Sequence, residues 1–133
     1  MTVLDTSGAI DFLLGGPAAT RVSGLVAKAP VAAPDLLVYE TLAVLRRHTL
    51  AGTLTEARAG GAVTDLGDLP LELFPTLALR RRAWELRHNF TAADALFVAL
   101  AEQLDEPLAT GDTRLRQAAL IHTRVDIIDL AVG

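Results

Sequence analysis

The chain of 133 residues has the length of one domain of ordinary size, and with 51% hydrophobic residues and a mean hydropathy of +0.37 it has ample material for a core. It contains no cysteine, which excludes disulfides and thiolate metal sites, and its three histidines, His48, His88 and His122, stand too far apart for a local zinc motif. A formal charge of −4 is unfavourable for a polyanionic partner unless bound cations reverse the sign locally, and no apolar run approaches the roughly 18 residues of a membrane span.

Thr2-Val3-Leu4 is a short apolar strand entered directly from Met1, with no basic segment or cleavage site, which points to a cytoplasmic chain. It runs into Asp5-Thr6-Ser7, residues that favour helix N-caps, and then into the amphipathic stretch Ala9 to Leu14, stopped by Gly15-Gly16-Pro17. Val22, Leu25 and Val26 keep near-helical spacing between Pro17 and Ala29. Val31 to Pro34 is a brief strand, followed by Asp35 as cap of a long helix through Leu50, with Gly52 as its stop. Leu54–Asp65 and Leu77–His88 form a helical pair separated by Leu71 to Pro75, a candidate strand. Thr91 caps a helix to Leu104, Pro107 to Thr110 is a strand, Gly111-Asp112 turns into a helix over Thr113–Leu120, and Val125 to Ile128 closes as a strand. Repeated strand–helix alternation implies a mostly parallel sheet covered on both faces. With no repeat, low-complexity tract or linker, residues 1–133 form a single domain. The surplus of apolar residues fits either a buried oligomer or partner surface or tightly packed Ala-, Leu- and Val-rich helices.

Four acids stand out. Asp5 and Asp112 follow strands, where ligand sites form in open α/β sheets, and Asp94 lies in the first turn of its helix, within reach of the same crevice. The positive end of that helix is expected to help keep Asp94 ionised. Each of the three also has a purely structural role open to it: Asp5 and Asp112 as helix caps, and Thr91 to Asp94 as a capping box. Glu40 differs, because Leu36, Leu37, Ala43 and Val44 surround it at helical spacing without a Lys or Arg. A buried carboxylate of that kind must raise its pKa, meet a cation or bond to backbone. Four converging carboxylates repel, so a cation is their natural stabiliser. With oxygen ligands only, Mg²⁺ or Mn²⁺ is preferred over zinc.

Val3-Leu4-Asp5-Thr6-Ser7, the helix containing Glu40, the segment Thr91 to Ala101 and the segment Leu108 to Leu115 together resemble PIN-domain proteins, in particular VapC-type toxin ribonucleases. The resemblance spans essentially the whole chain and includes the order and spacing of the acids. It implies a three-layer α/β/α sandwich with a short parallel sheet, a Mg²⁺- or Mn²⁺-dependent endoribonuclease, a homodimer and neutralisation by a VapB-type antitoxin. By motif position, Asp5, Glu40, Asp94 and Asp112 carry over as the metal-binding catalytic acids, with Ser7 and Thr110 as supporting hydroxyls. Some relatives have a further acid shortly after Asp112; here Arg116 stands nearby instead, which leaves a second metal open. The implied nucleophile is a metal-activated water, a chemistry that needs no 2′-hydroxyl, so the RNA preference comes from the resemblance.

Arg46, Arg47, the run Arg80-Arg81-Arg82, Arg87 and Arg114 can line an approach for phosphates, or simply serve as surface cations in a chain whose one lysine is Lys28. Arg114, two residues from Asp112, is the strongest functional candidate among them. Aromatics are 5% of the chain, too few for a base-stacking sheet, which favours structured RNA read by shape. The competing reading is a catalytically silent PIN-fold module that only binds RNA or a partner. A receiver-type signalling domain lacks its late lysine here, and no phosphate-binding glycine loop is present.

Overall fold

The computed structural model describes residues 1–131. Its chain order is β1 (Val3–Leu4), α1 (Thr6–Leu14), α2 (Ala19–Lys28), β2 (Val31–Pro34), α3 (Leu36–Leu50), α4 (Glu56–Asp68), β3 (Leu71–Phe74), α5 (Thr76–Glu85), α6 (Ala92–Leu104), β4 (Leu108–Thr110), α7 (Thr113–His122) and β5 (Ile127–Asp129). The strands form one five-stranded sheet in the order β3-β2-β1-β4-β5, with every pairing parallel. The segment Leu71–Phe74 is a true strand, in register with all of β2.

Strands β1, β2 and β4 are buried along their whole lengths, as parallel strands covered on both faces must be. Connections β1→β2→β3 run outward in one direction and β4→β5 in the other. Since such crossovers are right-handed, their helices fall on opposite faces and give three layers. Helix α1 packs on α2, α3 and α4, whereas α5 packs on α6, which lies across β2, β1 and β4. No helix among the described residues is long and apolar enough to cross a membrane.

The chain reverses its winding between β1 and β4, and a crevice opens there at their carboxyl ends. Register fixes what meets in it. Leu4 pairs with Ala109, and the Asp5 N–H donates to the Ala109 carbonyl at 3.1 Å, so Asp5 and Thr110 leave the sheet side by side. Close approach is helped by Gly8 in the first turn of α1: a Cβ there would stand 2.6 Å from Leu4 Cδ1 and 2.8 Å from Leu130 Cδ1.

Asp35 occupies the N-cap position of α3, as expected, but its side chain is used elsewhere. Its own backbone is helical (φ −62°, ψ −16°) and its side chain makes no cap bond to α3. Instead Oδ1 accepts the Thr76 N–H at 3.2 Å, at the start of α5, where the flanking Pro75 has no side chain able to cap.

Candidate active site

Asp5 sits at the floor of the crevice, 6% exposed, and caps α1 by accepting the Gly8 N–H at 3.1 Å. Two hydroxyls complete its surroundings: Ser7 Oγ donates to Oδ1 at 2.7 Å and Thr110 Oγ1 donates to Oδ2 at 2.6 Å. Both hydroxyls also accept from the β4–α7 turn, Ser7 from the Gly111 N–H at 3.2 Å and Thr110 from the Asp112 N–H at 3.0 Å. With a lone pair of each oxygen taken by an amide, each hydroxyl proton is directed at Asp5. Burial pushes the Asp5 carboxyl above its ordinary 3.8; the Thr110, Ser7 and Gly8 donors oppose the rise and the Asp112 charge adds to it.

Asp112 caps α7 with one oxygen, Oδ1 accepting from the Arg114 and Leu115 N–H groups at 2.9 and 3.3 Å. Asp94 stands in the first turn of α6, where Thr91 Oγ1 caps its N–H at 3.1 Å. Distant parts of the chain act on this carboxyl as well. Its pKa is raised, first by burial, then by the Asp112 charge, with smaller contributions from Asp5 and Glu40 and a Thr91 contact opposing. Both leading effects come from outside the helix: the fold buries the carboxyl and sets Asp112 near it.

Glu40 is half-buried rather than sealed in the core, and its Oε1 accepts a 2.6 Å hydrogen bond from Thr6 Oγ1 across 34 residues of sequence. The four acids line one cleft of about 480 Å³, together with Thr6, Tyr39 and Arg47. Arg47 follows Glu40 by two helical turns on the same face of α3. Thr6, Tyr39 and Asp11 are lining residues that the sequence reading passed over. Thr6 was visible inside Asp5-Thr6-Ser7 and Tyr39 beside Glu40, whereas Asp11, whose Oδ2 accepts the Ala18 N–H at 3.1 Å, gives no local signal.

Among the described residues, no three acidic or histidine side chains are drawn tightly enough to hold an ion as they stand. The acids face one cleft rather than one point. None of the four makes an ion pair among the described residues, and all offer only hard oxygen donors, a set that fits Mg²⁺ or Mn²⁺.

The arginines divide by partner. Arg82 is held by Glu102, at 2.8 Å, and by Glu85, at 3.3 Å, which raise its pKa further. Arg80 bonds the Leu77 carbonyl, and Arg87 lies 4.6 Å over the Trp84 ring. Arg116, the residue noted near Asp112, turns away to Asp129 at 3.3 Å. Arg47 and Arg114 reach the grooves at the acids and have no acidic partner among the described residues.

Fold and crevice together define a doubly wound α/β domain with an acidic cleft at its switch point. The chain belongs to the PIN domain family, whose model matches residues 2–121. It is 38% identical to Ribonuclease VapC1 of Mycobacterium tuberculosis, over 95% of this chain and 96% of that protein, and 30% identical to Ribonuclease VapC12 of the same organism, over 96% and 99%. Two solved structures share the fold. PAE2754 from Pyrobaculum aerophilum aligns with a TM-score of 0.71 at 19% identity, covering 98% of this chain and 89% of that one. VapBC2 from Rickettsia felis, solved bound to a DNA fragment from its promoter, aligns with a TM-score of 0.65 at 12% identity, covering 96% and 97%.

Proposed function

We propose that this protein is a VapC-type toxin: an endoribonuclease that hydrolyses RNA phosphodiesters in the cytoplasm with Mg²⁺ or Mn²⁺ and is neutralised by a VapB-type antitoxin. The observation that carries the reading is the convergence of Asp5, Glu40, Asp94 and Asp112 on one cleft at the switch point. Near-full-length similarity to proteins named as ribonucleases supports the substrate class.

Asp5, Glu40, Asp94 and Asp112 would hold the ion. When bound, the metal supplies an acidified water and positive charge for the phosphate oxygens. The chain's own part is positioning. Ser7, Thr110 and the Gly8 N–H fix both oxygens of Asp5, and Thr6 fixes Glu40. Arg47 and Arg114, without acidic partners among the described residues, bring positive charge to phosphates on either side of an otherwise acidic centre. Exposed apolar side chains, Leu42 and Leu50 on α3 and Leu77 and Trp84 on α5, supply surface for a second copy of the chain and for the antitoxin.

The test is incubation of purified protein with total cellular RNA in Mg²⁺, Mn²⁺ or EDTA, with Asp94→Asn alongside. Discrete products that require metal and disappear in the variant are expected. No cleavage by folded protein in either metal would overturn the enzyme reading in favour of a binding module.

A further inference from the structure

The acidic cleft continues on its far side. Glu40, Asp94 and Asp112 also line a second groove, of about 600 Å³, which runs from the acids between the entry to α6 and an exposed face of α7. That volume lies within the roughly 300–1,000 Å³ of small-ligand sites.

The walls of this groove change character along its length. Beside the acids is Arg114, followed on the same face of α7 by Gln117 and Ile121 at helical spacing. Asn89 and Phe90 form the opposite wall, and His122 lies at the far end with its ring edge-on to Phe90, centroids 6.5 Å apart. The Arg114 guanidinium meets no carboxylate among the described residues; Asp112 engages only its backbone N–H. Ile121 is 75% exposed, an aliphatic side chain left largely uncovered by the described residues. A cation, two side-chain amides, an aliphatic side chain and an imidazole ring in one groove complement the phosphate, hydrogen-bonding edge and ring face of one nucleotide.

Building on the ribonuclease reading, we propose that the α7 groove is a nucleotide subsite, which holds the unpaired RNA nucleotide next to the scissile phosphodiester. Arg114 contacts its phosphate, Gln117 and Asn89 face its polar edge, and Ile121 and His122 contact its base. The groove therefore makes cleavage selective at one position on one side of the cut. An unpaired nucleotide is required, because a base held in a duplex cannot turn its face to the α7 wall. Structured RNA remains a suitable substrate where the cut falls in a loop.

The experiment compares the full-length protein with the Ile121→Ala/His122→Ala double variant. Both side chains are exposed, so the variant is expected to melt with the wild type. Each protein is given total cellular RNA and a pool of randomised single-stranded RNA 12-mers in Mg²⁺ and Mn²⁺, and the product ends are sequenced. In the wild type a base preference is expected at the position flanking the cut. In the variant that preference should collapse at this one position and persist elsewhere. On the favoured sequence kcat/KM should fall about tenfold, equivalent to about 1.4 kcal/mol, with little change on disfavoured ones. A variant with the wild-type preference profile and unchanged kcat/KM overturns the subsite and leaves the ribonuclease reading standing. A wild type that cuts neither RNA overturns that reading and the subsite with it.

Discussion

Thr110→Val keeps the branched shape of a fully buried side chain and deletes one hydroxyl. That hydroxyl donates to Asp5 at 2.6 Å and accepts the Asp112 N–H at 3.0 Å. Loss of the first bond leaves a buried carboxyl oxygen without its donor, at about 1–3 kcal/mol, and the unpaired N–H adds about 1 kcal/mol. Water reaching the exposed turn recovers part of the second amount, so the expected loss is about 3 kcal/mol. With a urea slope of about 1.5 kcal/mol per molar, the unfolding midpoint falls by about 2 M. The assay is urea unfolding at pH 7 in EDTA, with Thr110→Ser as the control. Serine keeps the hydroxyl and gives up one buried methyl, about 1 kcal/mol. The network argument requires valine to be the more damaging substitution. It is refuted if Thr110→Val unfolds within about 0.5 kcal/mol of wild type, or if serine costs more than valine.

Gly8→Ala should destabilise by about 1–2 kcal/mol in the same assay, because the new methyl meets Leu4 and Leu130 at 2.6 and 2.8 Å and overpacking outweighs alanine's better helix propensity. Asp5 and Asp94 both have folded pKa values above the ordinary 3.8. Between that value and the raised ones the folded chain binds more protons than the unfolded chain, so their contribution to stability is present at low pH and is lost as pH rises. Asp94→Asn should therefore stabilise the metal-free protein at pH 7 but not at pH 3, and should diminish the rise in Tm produced by Mg²⁺ or Mn²⁺. A variant less stable than wild type at pH 7 in EDTA would contradict the repulsion inferred among the acids. Arg82→Ala should leave the salt dependence of RNA binding unchanged, since Glu102 and Glu85 already engage that side chain. Arg47→Ala or Arg114→Ala should each shrink the log–log slope by about 0.7–0.9, and equal slopes for all three variants would remove the distinction.

Local rules made much of the site readable. Asp5 and Asp112 show themselves because each follows a short apolar strand and opens a helix, and Thr91 announces the turn that carries Asp94. Glu40 is conspicuous as an acid among aliphatic helical neighbours. What sequence does not carry is the partner 34 residues away, Thr6, whose hydroxyl makes a half-buried position tolerable. Asp35 precedes α3 as its residue type suggests, but the target of its side chain was hidden for a related reason. Its residue type suits α3, but its helical backbone frees the side chain for α5, which lies 41 residues on and is brought near only by the pairing of β2 with β3. The raised pKa of Asp94 belongs to the same class. Burial and the three other acids act on that carboxyl only after the sheet assembles.

The hydrogen bonds at the switch point explain why Asp5 and Asp112 are hard to treat as separate sites. Gly111 and Asp112 form the turn that positions Asp112, and the N–H groups of both residues are satisfied by the two hydroxyls that donate to Asp5. Opening the turn frees those hydroxyls to rotate away from Asp5, and losing the Asp5 acceptor weakens what holds the turn. Register sets this arrangement in place, since Thr110 follows Ala109, the partner of Leu4, and Asp5 follows Leu4. A slip of one residue between β1 and β4 would turn the Thr110 side chain to the opposite face of the sheet. The register of the buried strands β1 and β4 therefore does more than build a core: it specifies which hydroxyl meets which carboxylate, and through them the orientation of two acids from opposite ends of the chain.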